Sequence, residues 1–450
     1  MTTLQLSLLQ PASLLLPSQP VEPKSFALRD YQQQVIKDLY QLYRQDIKRP
    51  FIYAPTGSGK TAIGAKILAD AVSRGRRCLF LIHRDALVGQ TQKALANYGI
   101  KAGIIKAGYS EDRTLSVQIA GIQTLDRRQF PDHIDVIMID EAHTTCWYKT
   151  FNRIKEHYPD ALYVGLTASP WRTKLSQYMG QHFNGIVQAP SVSELINKGF
   201  LSQPRYFGFG GLLDISEIDS GNDGEFDEKQ VQRACMQAGF NERVVREYQA
   251  FADGRTAIVF CSGLEQSRLI TKLFNEANIS CEHLEGNTDD DVRQAMYDRL
   301  RTGQTRVISN INVLTEGFDE SSINCVILAR PTRSRALLFQ MAGRGLRIFP
   351  GKRDCLMLDF GHNFSRLGFL TDSQPIQLEP LKPKDVRPML KECDRCHQMI
   401  SIFALICPFC GLEFSSGGEE EEDDTDVLDA QMGELFSNRH LRKLSIVLYD

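Results

Sequence analysis

The sequence predicts an α/β protein of two tandem lobes, each a parallel sheet covered by helices, with a small cysteine module near the C-terminus. Three observations lead there. Short Val/Ile/Leu/Phe runs alternate with helical periodicity from residue 26 to about 188, and the rhythm returns from about 241 to 370. Strands alternating with helices imply parallel sheets buried on both faces. The chain has 450 residues, 42% hydrophobic and 24% charged, a globular composition with length for about three domains. Four of its 11 cysteines fall between 393 and 410, which sets that segment apart from the lobes.

Residues 1–24 read as a flexible arm, leucine-rich but broken by Pro11, Pro17 and Pro20. No Lys or Arg precedes Lys24, so the basic start and unbroken apolar run of a secretory signal are missing. Residues 25–195 make the first lobe. A helical pattern covers Val35–Tyr43, and strands are expected at Phe51–Tyr53, Cys78–Ile82, Val117–Ala120, Val136–Ile139 and Leu162–Leu166. Residues 196–240 read as a loop-rich inter-lobe insertion, because Gly208, Gly210, Gly211, Gly221 and Gly224 sit among acids. The second lobe, 241–372, offers strands at Thr256–Phe260, Ser280–Leu284, Thr305–Ser309, Cys325–Leu328 and Cys355–Leu358. Pro375, Pro380, Pro383 and Pro388 mark 373–392 as a semi-rigid linker. The cysteine module occupies 393–411, and 412–450 is an acidic tail whose end has room for a short helix. No run of 18 apolar residues exists, so no membrane-spanning helix is expected.

The formal net charge of −3 hides an uneven distribution: residues 417–450 carry −7, which leaves residues 1–416 at +4. A mildly basic body with an acidic tail is compatible with a polyanionic partner. Seven scattered cysteines in a chain this long fit a reducing compartment rather than a disulfide framework.

Ala54-Pro55-Thr56-Gly57-Ser58-Gly59-Lys60-Thr61 follows an expected strand and opens an expected helix. Glycines there let the backbone approach phosphates, and N–H groups at the helix N-terminus cradle negative charge. Lys60 is placed to reach the β/γ-phosphates and Thr61 to bind Mg²⁺. The usual first glycine is Ala54 here. Ile134–His143 is a buried strand ending in acids: Asp140 is placed to hold Mg²⁺ and Glu141 to orient and deprotonate an attacking water.

Cys393-x-x-Cys396 and Cys407-x-x-Cys410 are separated by ten residues, a spacing that suits tetrahedral Zn²⁺ on two knuckle turns. Cys393-x-x-Cys396-His397 is also a haem-attachment string, and a redox pair is a further reading. The second cysteine pair and the absence of an export signal weigh against haem, and the absence of a surrounding βαβ unit weighs against redox.

Together these motifs resemble the superfamily 2 helicase-type ATPases of the DEAH-box kind over about residues 26–370. The resemblance implies two RecA-like lobes using ATP and Mg²⁺. Leu28-Arg29-Asp-Tyr31-Gln32 is similar to the segment that reads adenine, which implies base contacts from Arg29 and Gln32. Ile82-His83-Arg84 and Gln123-Thr124-Leu125 are similar to first-lobe nucleic-acid contacts. Gly165–Pro170 is similar to the motif coupling hydrolysis to movement, and Trp171 after it is expected in the core rather than on a base. Leu314-Thr315-Glu316-Gly317-Phe318-Asp319 is similar to the motif touching strand (Thr315) and nucleotide (Gly317, Asp319). Gln340-Met-Ala-Gly343-Arg344-Gly-Leu-Arg347 is similar to the arginine-finger motif. Its arginines, three apart, are expected on one helix face reaching the transferred phosphate, with Gln340 beside them.

The Leu358-Asp-Phe-Gly361 strand and the C-terminal cysteines are similar to bacterial RadD-type repair ATPases. That implies action on DNA, single-stranded or junction-containing, in repair or recombination, in the cytoplasm (a bacterial nucleoid or a phage-infected cell). RNA remodelling, the motor part of a restriction system and an ATP-gated DNA-binding scaffold stand as alternatives. Gln5-Leu6-Ser7-Leu8-Leu9 resembles the peptide by which bacterial proteins enter the sliding clamp, and Gln431–Phe436 is a weaker echo.

Overall fold

The computed structural model describes residues 27–83, 87–171, 176–209, 213–215, 217–221, 224–311, 313–314, 320–372, 376–379, 390–392, 395, 399–401, 412–414 and 447–449. The first lobe opens with helix α1 (Asp30–Arg44), amphipathic, with Tyr31, Val35, Ile36 and Leu39 turned to the core. Strand β1 (Pro50–Tyr53) leads into the Gly-rich loop and helix α2 (Lys60–Ser73). Strands β2 (Cys78–Ile82), β3 (Ala102–Ile105), β4 (Val117–Gly121), β5 (Val136–Ile139), β6 (Leu162–Thr167) and β7 (Gly185–Gln188) complete a seven-stranded sheet in the order β3-β4-β2-β5-β6-β1-β7. Every pairing in it is parallel. These strands are apolar on both faces because helices cover both.

The second sheet has the order β10-β11-β9-β12-β13-β8-β16. Its strands are β8 (Gln203–Gly208), β9 (Ala257–Phe260), β10 (Cys281–Leu284), β11 (Val307–Asn310), β12 (Cys325–Leu328) and β13 (Asp354–Asp359), all parallel. The last strand is β16 (Val447–Tyr449), antiparallel to β8. A separate antiparallel pair joins β14 (Leu390–Glu392) to β15 (Met399–Ser401).

Several expectations are corrected. The edge strands β3 (Ala-Gly-Ile-Ile) and β7 (Gly-Ile-Val-Gln) add to those expected; each contains a glycine, which weakens the strand signal. Residues 196–240 are not wholly an insertion: β8 pairs with β13 along its whole length, and Glu228–Cys235 is a helix. Pro204 and the exposed Arg205 break the strand signal there, and an edge-side position tolerates both. At the chain's end Val447–Tyr449 is strand, as its β-prone residues favour, and the rest of the segment with room for a short helix lies outside the described residues. Helix Arg335–Ala342 stops before the finger arginines: Gly343–Leu346 is a 3-10 turn, and Arg347 is extended. Arg344 and Arg347 therefore do not share an α-helix face. A Cβ on Gly345 would collide with Cys355 Sγ, so the loop lies directly on β13.

Residues 376–379 return to the first lobe, where Gly180 N–H donates to the Leu378 carbonyl at 2.9 Å. Ser193 Oγ donates to Thr371 O at 2.9 Å on the way. The lobes share apolar contacts: Trp171, buried, stands edge-on to Tyr53 (6.0 Å) and to Phe339 of the second lobe (5.6 Å), with the Arg335 guanidinium 5.6 Å above its ring. Trp171 thus packs between lobes, as the core expectation had it. All seven scattered cysteines are buried free thiols. Among the described residues no helix is long and apolar enough to cross a membrane.

Candidate nucleotide site and nucleic-acid face

The site forms where the sheet order brings β5, β6 and β1 side by side, with loops leaving their C-terminal ends. Ala54 N–H donates to Thr167 O at 2.9 Å, tying the Gly-rich loop to the end of β6. Gly57 and Gly59 have φ of +84° and +83°, a region glycine enters without the Cβ penalty. Space demands glycine too. A Cβ on Gly57 would lie 2.8 Å from Leu201 Cδ2, and one on Gly59 would collide with the Gln32 amide. The N–H groups of Gly57, Gly59, Lys60 and Thr61 have no acceptor among the described residues. At a helix N-terminus they form an anion cradle with the dipole behind it.

Glu141 takes φ 41°, ψ 54°, the left-handed region a non-glycine residue enters at a cost. This turns its carboxylate toward the loop, where Oε1 lies 3.8 Å from Lys60 Nζ. Oε2 is 3.4 Å from His143 Nδ1. Burial works to raise the Glu141 carboxyl. The charges of Lys60, His143, Arg344 and His83 outweigh it and hold the group below the ordinary carboxylate range. His143, buried, sits 2.9 Å from Thr167 Oγ1, which accepts from Ser169 N–H at 3.1 Å. Asp140 stands half-buried just before Glu141, its carbonyl accepting from Thr145 Oγ1 at 2.6 Å. The exposed Thr61 opens α2.

Gln32, expected on the base, is buried and grips the loop: its amide nitrogen donates to Ser58 O at 2.9 Å, and its oxygen accepts from Arg29 N–H at 3.0 Å. A primary amide keeps a second donor and a second lone pair for a ligand. Tyr31, one residue before Gln32, donates to the same Ser58 carbonyl at 2.6 Å. The Arg29 guanidinium stacks 4.4 Å over the Phe200 ring. Pro55 and Ser58 are buried, and Thr56 is half-buried.

From the second lobe, the turn after helix Arg335–Ala342 comes down on this loop. A Cβ on Gly343 would lie 2.5 Å from Thr56 Cβ. Arg344 is buried there and its charge is felt at Glu141. Arg347 forms an antiparallel bridge with Leu201, whose side chain covers Gly57. Gln340 is buried in the same helix. The structure thus gathers Lys60, Thr61, Asp140, Glu141, Arg344 and Arg347 from both lobes.

Two of the residues expected on the strand, His83 and Gln123, are linked through Tyr148. Gln123 Nε2 donates to Tyr148 Oη at 2.9 Å, and Tyr148 Oη lies 3.3 Å from His83 Nδ1. Thr124 is beside Gln123 in the short helix Ile122–Leu125. Tyr148 lies in no motif; only its place just beyond the acidic box hints at it. Arg84, Thr315, Gly317, Asp319 and the zinc candidates Cys393, Cys396, Cys407 and Cys410 lie outside the described residues, as do the Gln5–Leu9 and Gln431–Phe436 segments.

Residues 25–172 match the family model described as type III restriction enzyme, res subunit. Residues 241–349 match the helicase conserved C-terminal domain. A 51.5 kDa protein of a Lactococcus phage is 27% identical over 390 residues, 85% of this chain and 81% of its own. The putative ATP-dependent helicase IRC3 of Saccharomyces cerevisiae is 27% identical over 355 residues, 74% of this chain but 51% of its own, so this chain spans about half of that relative. The DNA-bound ATP-dependent type ISP restriction-modification enzyme LlaBIII has a TM-score of 0.55 at 19% identity, covering 73% of this chain and 27% of that one, a likeness of fold. The two family models follow one another across the two lobes, one over the Gly-rich loop and acidic box and the other over the arginine loop, and the chain belongs to the superfamily 2 ATP-dependent helicases.

Proposed function

We propose that this chain is a DNA-dependent motor that couples Mg-ATP hydrolysis to movement along, or separation of, DNA strands. One observation carries the reading: the second-lobe arginine loop sits against the Gly-rich loop, with Arg344 close enough to act on the Glu141 carboxyl. Transfer of a phosphoryl group needs positive charge on the departing phosphate, supplied across a closing interface. The open N–H groups of the Gly-rich loop fit a triphosphate, with Lys60 on its β/γ-phosphates and Thr61 and Asp140 toward Mg²⁺. Bound Mg²⁺ would neutralise charge on the phosphates. Glu141, held ionised chiefly by the neighbouring Lys60, would orient the water and take its proton. Arg344 and Arg347 would stabilise the transition state, and Gln340 would steady the helix that precedes them. Arg29 and Gln32 would hold the base. The His83–Tyr148–Gln123 chain, with Arg84, Thr124 and Thr315, would lie along the strand, and Gly317 and Asp319 near the nucleotide.

DNA is favoured over RNA by the likeness to a DNA-bound restriction-modification enzyme and by the restriction-subunit family model. A role in repair or recombination rests on the RadD resemblance alone. The same likenesses favour a second reading, the motor of a restriction system. Cys393 and Cys396 fall in sequence between the paired strands β14 and β15, a spacing that suits a zinc knuckle completed by Cys407 and Cys410. Zinc there would be structural, with no open coordination position.

The test is ATP turnover with no nucleic acid, single-stranded DNA, duplex DNA and RNA, beside Glu141→Gln. Stimulation by DNA supports the proposal; stimulation by RNA alone overturns the substrate. Turnover at the Glu141→Gln level throughout overturns the motor.

A further inference from the structure

We propose that Lys352 is the positioning residue of the arginine loop: its ammonium, bonded to the Gly345 and Arg347 carbonyls, holds Arg344 and Arg347 where they reach the nucleotide. The inference rests on the motor reading above.

The loop needs external support. Its helix ends at Ala342, and the 3-10 turn that follows contains two glycines. The last carbonyls of a helix have no partners of their own. Here three successive carbonyls are bonded from outside. Lys352 Nζ donates to Gly345 O at 2.6 Å and to Arg347 O at 2.7 Å. Ser202 N–H donates to Leu346 O at 2.7 Å, and Ser202 Oγ to Arg347 O at 3.2 Å. Ser202 belongs to the crossing between lobes. Lys352 belongs to a tight turn, Phe349-Pro350-Gly351-Lys352, closed by Lys352 N–H to Phe349 O at 3.0 Å. Proline second and Gly351 third at φ +80° make it a type II turn, rigid by composition.

A cation at a helix C-terminus is favourable, yet this one sits beside a second cation, Arg347. The groups facing Lys352 are Arg347 on the loop, Cys355 and Asp354 on β13, and Arg255 before β9. Burial pushes Lys352 down to about 8; Cys355 and Asp354 oppose that, and Arg347 and Arg255 add to it. Lys352 therefore loses its proton as pH rises through about 8, and a neutral amine is a weaker donor to two carbonyls.

The experiment measures DNA-stimulated ATP turnover of the full chain from about pH 6.5 to 9.5 for wild type, Lys352→Met, Lys352→Arg and Glu141→Gln, together with affinity for a non-hydrolysable ATP analogue. Loss of loop position is expected to lower kcat of Lys352→Met about 10- to 100-fold, with analogue affinity changed less than about threefold. Lys352→Arg, always charged, keeps most of kcat and lacks the alkaline decline of the wild type. Wild-type kcat in Lys352→Met, or the same alkaline limb in wild type and Lys352→Arg, overturns the proposal. Should Lys352→Met fail to fold, the Lys352→Arg profile decides. Should wild type itself run at the Glu141→Gln level, the motor reading falls. Binding of ADP with aluminium fluoride then reads the loop directly: Lys352→Met must weaken it, and unchanged binding overturns the positioning role.

Discussion

Gly343→Ala separates closure of the lobes from their folding. Gly343 has φ −61° and ψ −16°, where alanine is at home, so the backbone offers no objection. At a helix end the change even favours the fold by up to about 1 kcal/mol. The added methyl is the problem. It would lie 2.5 Å from Thr56 Cβ, 2.8 Å from Cγ2 and 3.0 Å from Oγ1, where carbon pairs prefer about 3.5–4.0 Å. The two loops must part by about 1 Å. Overpacking of this kind costs about 1–3 kcal/mol, or about 5- to 150-fold fewer molecules with the arginine loop seated. Turnover with saturating DNA should fall by that factor while the thermal midpoint stays level or rises. Thr56→Gly with Gly343→Ala should lose no more than Thr56→Gly alone. Wild-type turnover in Gly343→Ala, or a falling midpoint with turnover lost in proportion, would refute the reasoning.

Other substitutions probe the remaining parts. Glu141→Gln should cut turnover about 10²- to 10⁴-fold, as loss of a general base does, and leave analogue binding intact by filter assay. Tyr148→Phe removes only the hydroxyl between Gln123 and His83. One hydrogen bond is worth about 0.5–1.5 kcal/mol net, so half-maximal stimulation should need about 2- to 10-fold more DNA. Treating the chain with a thiol-binding mercurial should release zinc, seen with a metallochromic dye, and Cys396→Ser should release none; equal release from both would remove the metal assignment.

Contiguous motifs were legible because their chemistry needs neighbours in sequence. Gly57, Gly59 and Lys60 belong to one turn, and a strand ending in Asp140-Glu141 declares itself by hydrophobic pattern. What escaped is what only tertiary contact creates. Lys352 is an unremarkable lysine in a Pro-Gly turn until the chain folds it under Arg347. Leu201 and Ser202 looked like part of a loop-rich insertion, yet they cover Gly57 and hold the arginine loop. The expected α-helix through both finger arginines failed for a related reason. Spacing of three fits an α-helix, but Gly343 and Gly345 serve close approach to Thr56 and Cys355, and that packing sets the backbone. Gln32 shows the limit from the other side: expected on the base, its buried amide is bonded to Ser58 O and couples the Leu28–Gln32 segment to the Gly-rich loop.

That coupling leaves the loop between β1 and α2 little room for larger side chains. Its residues are approached from three directions: Gln32 against Gly59, Leu201 over Gly57, and Gly343 against Thr56. These belong to α1, to the crossing between lobes and to the arginine loop. A phosphate that reorders the Gly57–Lys60 backbone must therefore shift all three contacts together. The positive φ of Gly57 and Gly59 meets the same demand, since any side chain there would strike Leu201 or Gln32 before it met a phosphate. On the motor reading proposed above, the loop would be both the binding site and the joint, tied to the arginine loop through the Leu201–Arg347 bridge.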